Sequence, residues 1–207
     1  MYNKTFTFYF LDTPVVVDPT ALASVVNAWG LGLWLGRKYP PLRQLRVSLL
    51  AALNYVAMDF IHFSGHIISS RLASAPMNEV RVKFPLPMAY FRKEDVSPEQ
   101  HQLRAIGGPI ASTLAALVAL PLWLLSRPGS LLRDVFSIAA IANGAIALGS
   151  LYPLPFIDGG SLLKWQLVKT GSSPQKADET VKRTNIGLGL VIAVIGSLFA
   201  IRKLLVK

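Results

Sequence analysis

The chain has 207 residues, 52% of them hydrophobic and 15% charged, with 21 Lys and Arg against 11 Asp and Glu for a net charge of +10. Its apolar residues come in nearly charge-free blocks and not in amphipathic stripes, which excludes a soluble helical protein and places the chain among membrane proteins. The basic residues lie scattered between the blocks, a pattern that suits anionic lipid headgroups and not nucleic acid, and the lack of cysteine leaves only His, Asp and Glu as strong metal ligands.

Residues 5–17 mix Thr with aromatics and end in Val15, Val16 and Val17, which suits a short strand or an interfacial hairpin. Asp12, Pro14 and Asp18 interrupt any clean apolar run there, so no signal peptide is expected and the first apolar span, 19–36, serves as the insertion signal. Trp29 and Trp34 sit near the end of that span, where an aromatic belt belongs, and Arg37, Lys38, Arg43 and Arg46 close it. A second span, 47–70, is apolar except for Asn54, Asp59, His62 and His66. Ionisable groups inside a membrane helix are costly, so these residues mark a functional site.

Residues 71–104 read as an extramembrane excursion with a strand at NEVRVKF. A third span, 105–126, opens on Gly107, Gly108 and Pro109. A fourth, 134–152, stops against Pro153 and Pro155, which cannot continue a helix and which put Asp158 on irregular backbone lining a cavity. The two prolines are expected to hold the break extended, with free backbone groups to which an unwound client segment adds as a strand. A fifth apolar segment, 186–201, is short for a perpendicular span. The whole reads as a single membrane-embedded domain over 1–207, all-α with minor β elements. Counting basic residues on the two sides of five crossings does not fix its orientation.

His62 and His66 are four positions apart, so both imidazoles leave one helix face and can share a metal. The spacing by itself also fits two histidines bonded to neighbouring polar groups, and a role in proton transport stays open, whereas haem does not suit two ligands on one side of the iron. Asp158 changes the balance, because a carboxylate in an apolar stretch needs a cation, although an Asp before Gly-Gly also suits a turn or cap. Two imidazoles and one carboxylate, with a fourth position open to water, form the donor set of a catalytic zinc site.

Here the chain resembles the site-2 proteases, intramembrane zinc metallopeptidases marked by HExxH, usually HExGH, on one membrane helix and N-x-x-P-x-P-x-x-D-G at the break of another. The first motif stands as HFSGH (His62–His66), the second as SLYPLPFIDGG (Ser150–Gly160), and GGPIAS (Gly107–Ser112) is similar to the family's glycine-proline segment. The match in order and spacing covers roughly 47–165. It implies a site-2-protease-like core with a broken helix at the metal site, zinc on His62, His66 and Asp158, and a membrane-protein or transmembrane-peptide client contacting Ser150, Leu154 and Phe156.

Two positions depart from the pattern. Phe63 stands where the general-base glutamate belongs, and Ser150 where an asparagine steadies the substrate. Asp59 lies about 6 Å below position 63 along the helix, too low to replace the base, and is assigned to orienting the His62 ring. A general base is worth about 10² to 10⁴ in rate and an oxyanion donor about 10² to 10³. The expectation is therefore a pseudoprotease that binds zinc and a client without efficient cleavage. The alternative is an active protease with an unusual base, with Glu79 or Glu94 as the acids within reach. The membrane that houses the chain is not legible from its sequence.

Overall fold

The computed structural model describes residues 5–91 and 96–205, with side chains through residue 189. The element order is β1 (Phe6–Phe10), β2 (Thr13–Val17), α1 (Ala21–Leu35), a 3₁₀ turn (Gly36–Lys38), α2 (Pro41–Leu72), β3 (Glu79–Val82), β4 (Met88–Tyr90), α3 (Pro98–Leu125), α4 (Leu131–Gly149), α5 (Asp158–Lys169) and α6 (Pro174–Leu205).

The N-terminal stretch forms the hairpin that its composition suggested. Leu11 and Asp12 both have positive φ, +47° and +53°, as a two-residue hairpin turn of matching twist requires. β2 then pairs in parallel with β3, Val15 opposite Val80, and β3 pairs antiparallel with β4, giving the order β1-β2-β3-β4. Between β2 and β3 the chain runs down α1 and back up α2, so the sheet covers one end of the bundle. Val15 and Val80 pack there on Phe63, Ile67 and Met77, and this cluster seats the sheet on α2.

The second apolar block extends into one 32-residue helix that starts at Pro41, where the ring takes the first helical position and its missing N–H costs nothing. α3 differs from expectation at its start. Gly107, Gly108 and Pro109 lie inside the helix, which begins at Pro98, before the expected start at 105, on a capping box: Ser97 Oγ accepts from Gln100 N, and the Gln100 side chain accepts from Ser97 N. The cap is polar and so sits outside the apolar block. α4 is capped by Ser130 and anchored at its first turn, where buried Asp134 accepts from Arg43 Nη2 at 2.9 Å and Arg46 Nη2 at 2.5 Å. That anchor ties α4 to the start of α2 at the end of the bundle remote from the sheet.

Within the fourth apolar block the helix stops at Gly149. The break that follows is folded and not extended: Leu154 N donates to Tyr152 O at 2.8 Å, Ile157 N to Leu154 O at 3.1 Å and Gly159 N to Ser150 O at 2.7 Å. Asp158 accordingly sits in the first turn of α5 and not on irregular backbone, since the two prolines end one helix without preventing the next. Segment 186–201 lies within α6, and its side chains from residue 190 on fall outside the described residues. Among the described residues, α2, α3 and α4 are long and apolar enough to cross a membrane.

Candidate metal centre

The site is built where α2, α3 and the start of α5 meet. Its assembly depends on glycines that let backbones approach. A Cβ on Gly65 would collide with the Gly107 carbonyl, and one on Gly107 with the Gly65 carbonyl and Ser69 Oγ, so α2 and α3 touch through these two residues. A Cβ on Gly108 would strike Nε2 of both His62 and His66. The glycine of HFSGH and the first glycine of GGPIAS thus let the two backbones touch, and the second glycine of GGPIAS leaves the space that the imidazoles fill. Gly159 and Gly160 do the same for the break, whose Leu151 and Leu154 carbonyls rest against them and fix the first turn of α5 under the loop.

His66 Nδ1 lies 2.8 Å from the Arg104 carbonyl. A carbonyl only accepts, so Nδ1 carries the proton and Nε2 of the neutral ring presents its lone pair. That Nε2 is 3.2 Å from His62 Nε2. Asp158 closes the triangle, with Oδ2 at 3.2 Å from His62 Nε2 and Oδ1 at 3.3 Å from His66 Nε2. The three donors converge within 4.8 Å of one another, and all three residues are shielded without being sealed from solvent. A tetrahedral ion about 2.0 to 2.1 Å from each donor requires donor separations of about 3.3 Å. The observed separations meet that requirement, and a cation between the lone pair and the carboxylate relieves a convergence that is otherwise repulsive. The residues fit a metal.

The other nitrogen of His62 faces Ser112 Oγ at 2.9 Å, and Ser112 is fully buried. Ser112 therefore stands where the sequence reading put Asp59. A side chain three positions earlier leans a turn down the helix, whereas His62 Nδ1 points across to α3. Asp59 is buried and faces the Tyr55 hydroxyl, which also faces Ser24; the Asp59 Oδ2 has no hydrogen-bond partner among the described residues. The sequence did hold a signal for the missed residue, because Ser112 is the last residue of GGPIAS. The Arg104 carbonyl, as backbone, left none.

Phe63 points away from the donors into the cluster under the sheet, 6% exposed, with its ring edge-on to Phe60 at 5.1 Å between centroids. Ser150 is buried, and its hydroxyl turns back to the Ala147 carbonyl at 3.2 Å. Leu154 is half-buried, while Phe156 is 72% exposed beside the site. Glu79 pairs with Arg81, its Oε1 2.9 Å from Nε, and joins no cluster with the metal donors among the described residues. Glu94 lies outside the described residues.

Among solved structures, the site-2 protease from Methanocaldococcus jannaschii matches this chain with a TM-score of 0.61, covering 94% of this chain and 85% of that one at 16% identity. The chain has the site-2 protease fold. A second Methanocaldococcus jannaschii protein, carrying the name of a candidate zinc metalloprotease, is 33% identical over 76 residues. That match covers 37% of this chain and 40% of the relative, so the chain spans less than half of that relative's length. No family model matches. The resemblance read from HFSGH and SLYPLPFIDGG is borne out at the level of the fold, and with α2, α3 and α4 it makes the chain an integral, multi-pass membrane protein.

Proposed function

We propose that this chain is a zinc-binding, site-2-protease-like protein that holds a membrane-protein client without efficient cleavage. The observation that carries the reading is Phe63, a ring packed into the apolar cluster at the position where a carboxylate would handle protons. His62, His66 and Asp158 hold the metal, which when bound supplies a Lewis acid and a water of lowered pKa. Ser112 and the Arg104 carbonyl fix the two rings, so that both Nε2 atoms face inward. Asp158, the acid of that donor cluster, is committed as a ligand, which leaves no described carboxylate there to take a proton from water or pass it to a leaving amine.

The folded break changes how a client would be held. Its amides are turned inward, so strand addition to this loop loses support, and the exposed Phe156 ring becomes the contact that the loop offers. Anionic headgroups would meet the basic ends of the helices, including Arg37, Lys38 and Arg127.

The reading is tested on detergent-purified protein by metal content together with cleavage of a model transmembrane peptide. About one zinc per chain and binding of the peptide without cleavage are expected. Efficient zinc-dependent cleavage by the wild type refutes the non-cleaving reading, and a chain that takes up no zinc refutes the metal site.

A further inference from the structure

Below the metal site, an apolar groove of about 570 Å³ opens between α2, α3 and α4. Leu53, Ala57 and Ile61 line it from α2, Val118 and Leu122 from α3, and Phe136 from α4. It runs along α2 from Leu50 to Ile61, about 16 Å by helical rise, and its upper end stops at the residue before His62. Two amides interrupt the apolar lining, Asn54 on α2 and Asn143 on α4. Asn143 is 2% exposed; its Nδ2 donates to the Ala139 carbonyl at 2.9 Å, and its Oδ1 has no partner among the described residues. A buried acceptor left unpaired inside a membrane is costly, and a Leu at this position would remove the cost.

We propose that this groove docks one transmembrane helix of a client, and that Asn143 selects a client helix carrying a hydroxyl or amide donor at its own depth. Apolar lining does not distinguish a helix from an acyl chain, because both are hydrocarbon. The amide does distinguish them: an acyl chain offers no donor, whereas a Ser, Thr, Asn or Gln side chain on a helix reaches Oδ1. The groove's upper end at Ile61, one residue before His62 on α2, favours a client over other helices. A helix that fills it arrives beside His62 and hands its next residues to the loop bearing Phe156. α4 also sets the register. Asn143 lies seven residues before Ser150, about 10 Å along the axis, and Ser150 binds the start of α5 through Gly159 N. The selected donor therefore sits about two helical turns from the client's metal-proximal end. This inference rests on the client-holding function proposed above and adds to it a site and a sequence rule.

The test uses the full chain in phosphatidylcholine vesicles, with a series of Leu-Ala transmembrane peptides carrying one Ser at successive positions. Affinity is read by energy transfer, and photo-crosslinkers stand at Val118 in the groove and, separately, at Phe156. The peptide with Ser about two turns from its metal-proximal end binds about three- to tenfold tighter than the Ser-free peptide, a ratio typical of one interhelical hydrogen bond in a membrane. Moving the Ser by two positions, to another face, loses the gain. Asn143→Leu and Asn143→Ala erase the preference while zinc content, the measure of correct folding, stays at the wild-type value. Equal affinity across the wild-type series overturns the proposal, as do Val118 crosslinks only to lipid or to a second copy of the chain. Register-dependent crosslinks at Val118 with none at Phe156 support the groove and refute the holding of a client at the metal loop. Phe156 crosslinks without register preference do the reverse.

Discussion

Replacing Phe63 by glutamate restores the residue that the motif lacks, yet the structure makes this a costly exchange. The ring is 6% exposed among Val15, Ile67, Met77 and Val80 and lies edge-on to Phe60. Truncating a buried Phe to Ala costs about 3 to 5 kcal/mol, and an unpaired polar group in the same place adds about 1 to 3. Phe63→Glu should therefore lose about 4 to 8 kcal/mol, a large share of the 5 to 15 kcal/mol typical of a folded domain. Equilibrium unfolding in mixed detergent micelles measures it, with Phe63→Ala separating lost packing from the added carboxyl. Cleavage of a model transmembrane peptide by the zinc-loaded variant should be detectable but weak, because Ser150 turns its hydroxyl back into its own helix. Adding Ser150→Asn should raise it by more than either change alone, since both act on one step. A Phe63→Glu protein as stable as the wild type would show that the ring is not packed in the cluster. Wild-type protein that cuts as fast as the double variant would refute the non-cleaving reading.

His62→Ala should reduce copurified zinc from about one per chain to none, measured by elemental analysis. Ser112→Ala should keep the fold and weaken zinc binding about 10- to 100-fold in a chelator competition, the usual effect of losing the partner that orients a ligand. Gly108→Ala adds a methyl group where both Nε2 atoms lie, so it should abolish zinc binding without loss of helical circular dichroism. Asp134→Ala leaves Arg43 and Arg46 without their shared carboxylate and should cost about 1.5 to 3 kcal/mol in unfolding experiments, with zinc stoichiometry unchanged because the pair lies at the far end of α4.

The membrane helices were legible because a lipid-facing helix writes its identity in every residue, but their starts were not. Pro41 and the Ser97–Gln100 capping box act through polar or turn-forming residues that lie outside any apolar block, so hydropathy places α2 and α3 several residues late. α5 was missed for a related reason. Pro153 and Pro155 put Asp158 on irregular backbone by local pattern, and what starts a helix there is the packing of the break's carbonyls against Gly159 and Gly160. The hairpin was readable from alternation, whereas its parallel partner β3 pairs across two intervening helices and no local pattern announces such a contact.

At the metal centre the spacing of His62 and His66 is a property of one helix and so is visible in the sequence, while the partners of the outer ring nitrogens are properties of how two helices approach. Asp59 was chosen for His62 because it is near in sequence; Ser112 holds that place because Gly65 and Gly107 bring α3 within reach. The same distinction governs Phe63. Its identity alone argues that proton transfer is lost, but only the structure adds that the ring holds the sheet on α2. A small residue at this position would leave a pocket beside the metal donors, open to a carboxylate by a single change. Here Phe63 is part of the core, so a carboxylate at this position must first give up the packing that seats the sheet. That coupling is why the stability of Phe63→Glu, and not its activity alone, bears on the proposed non-cleaving role.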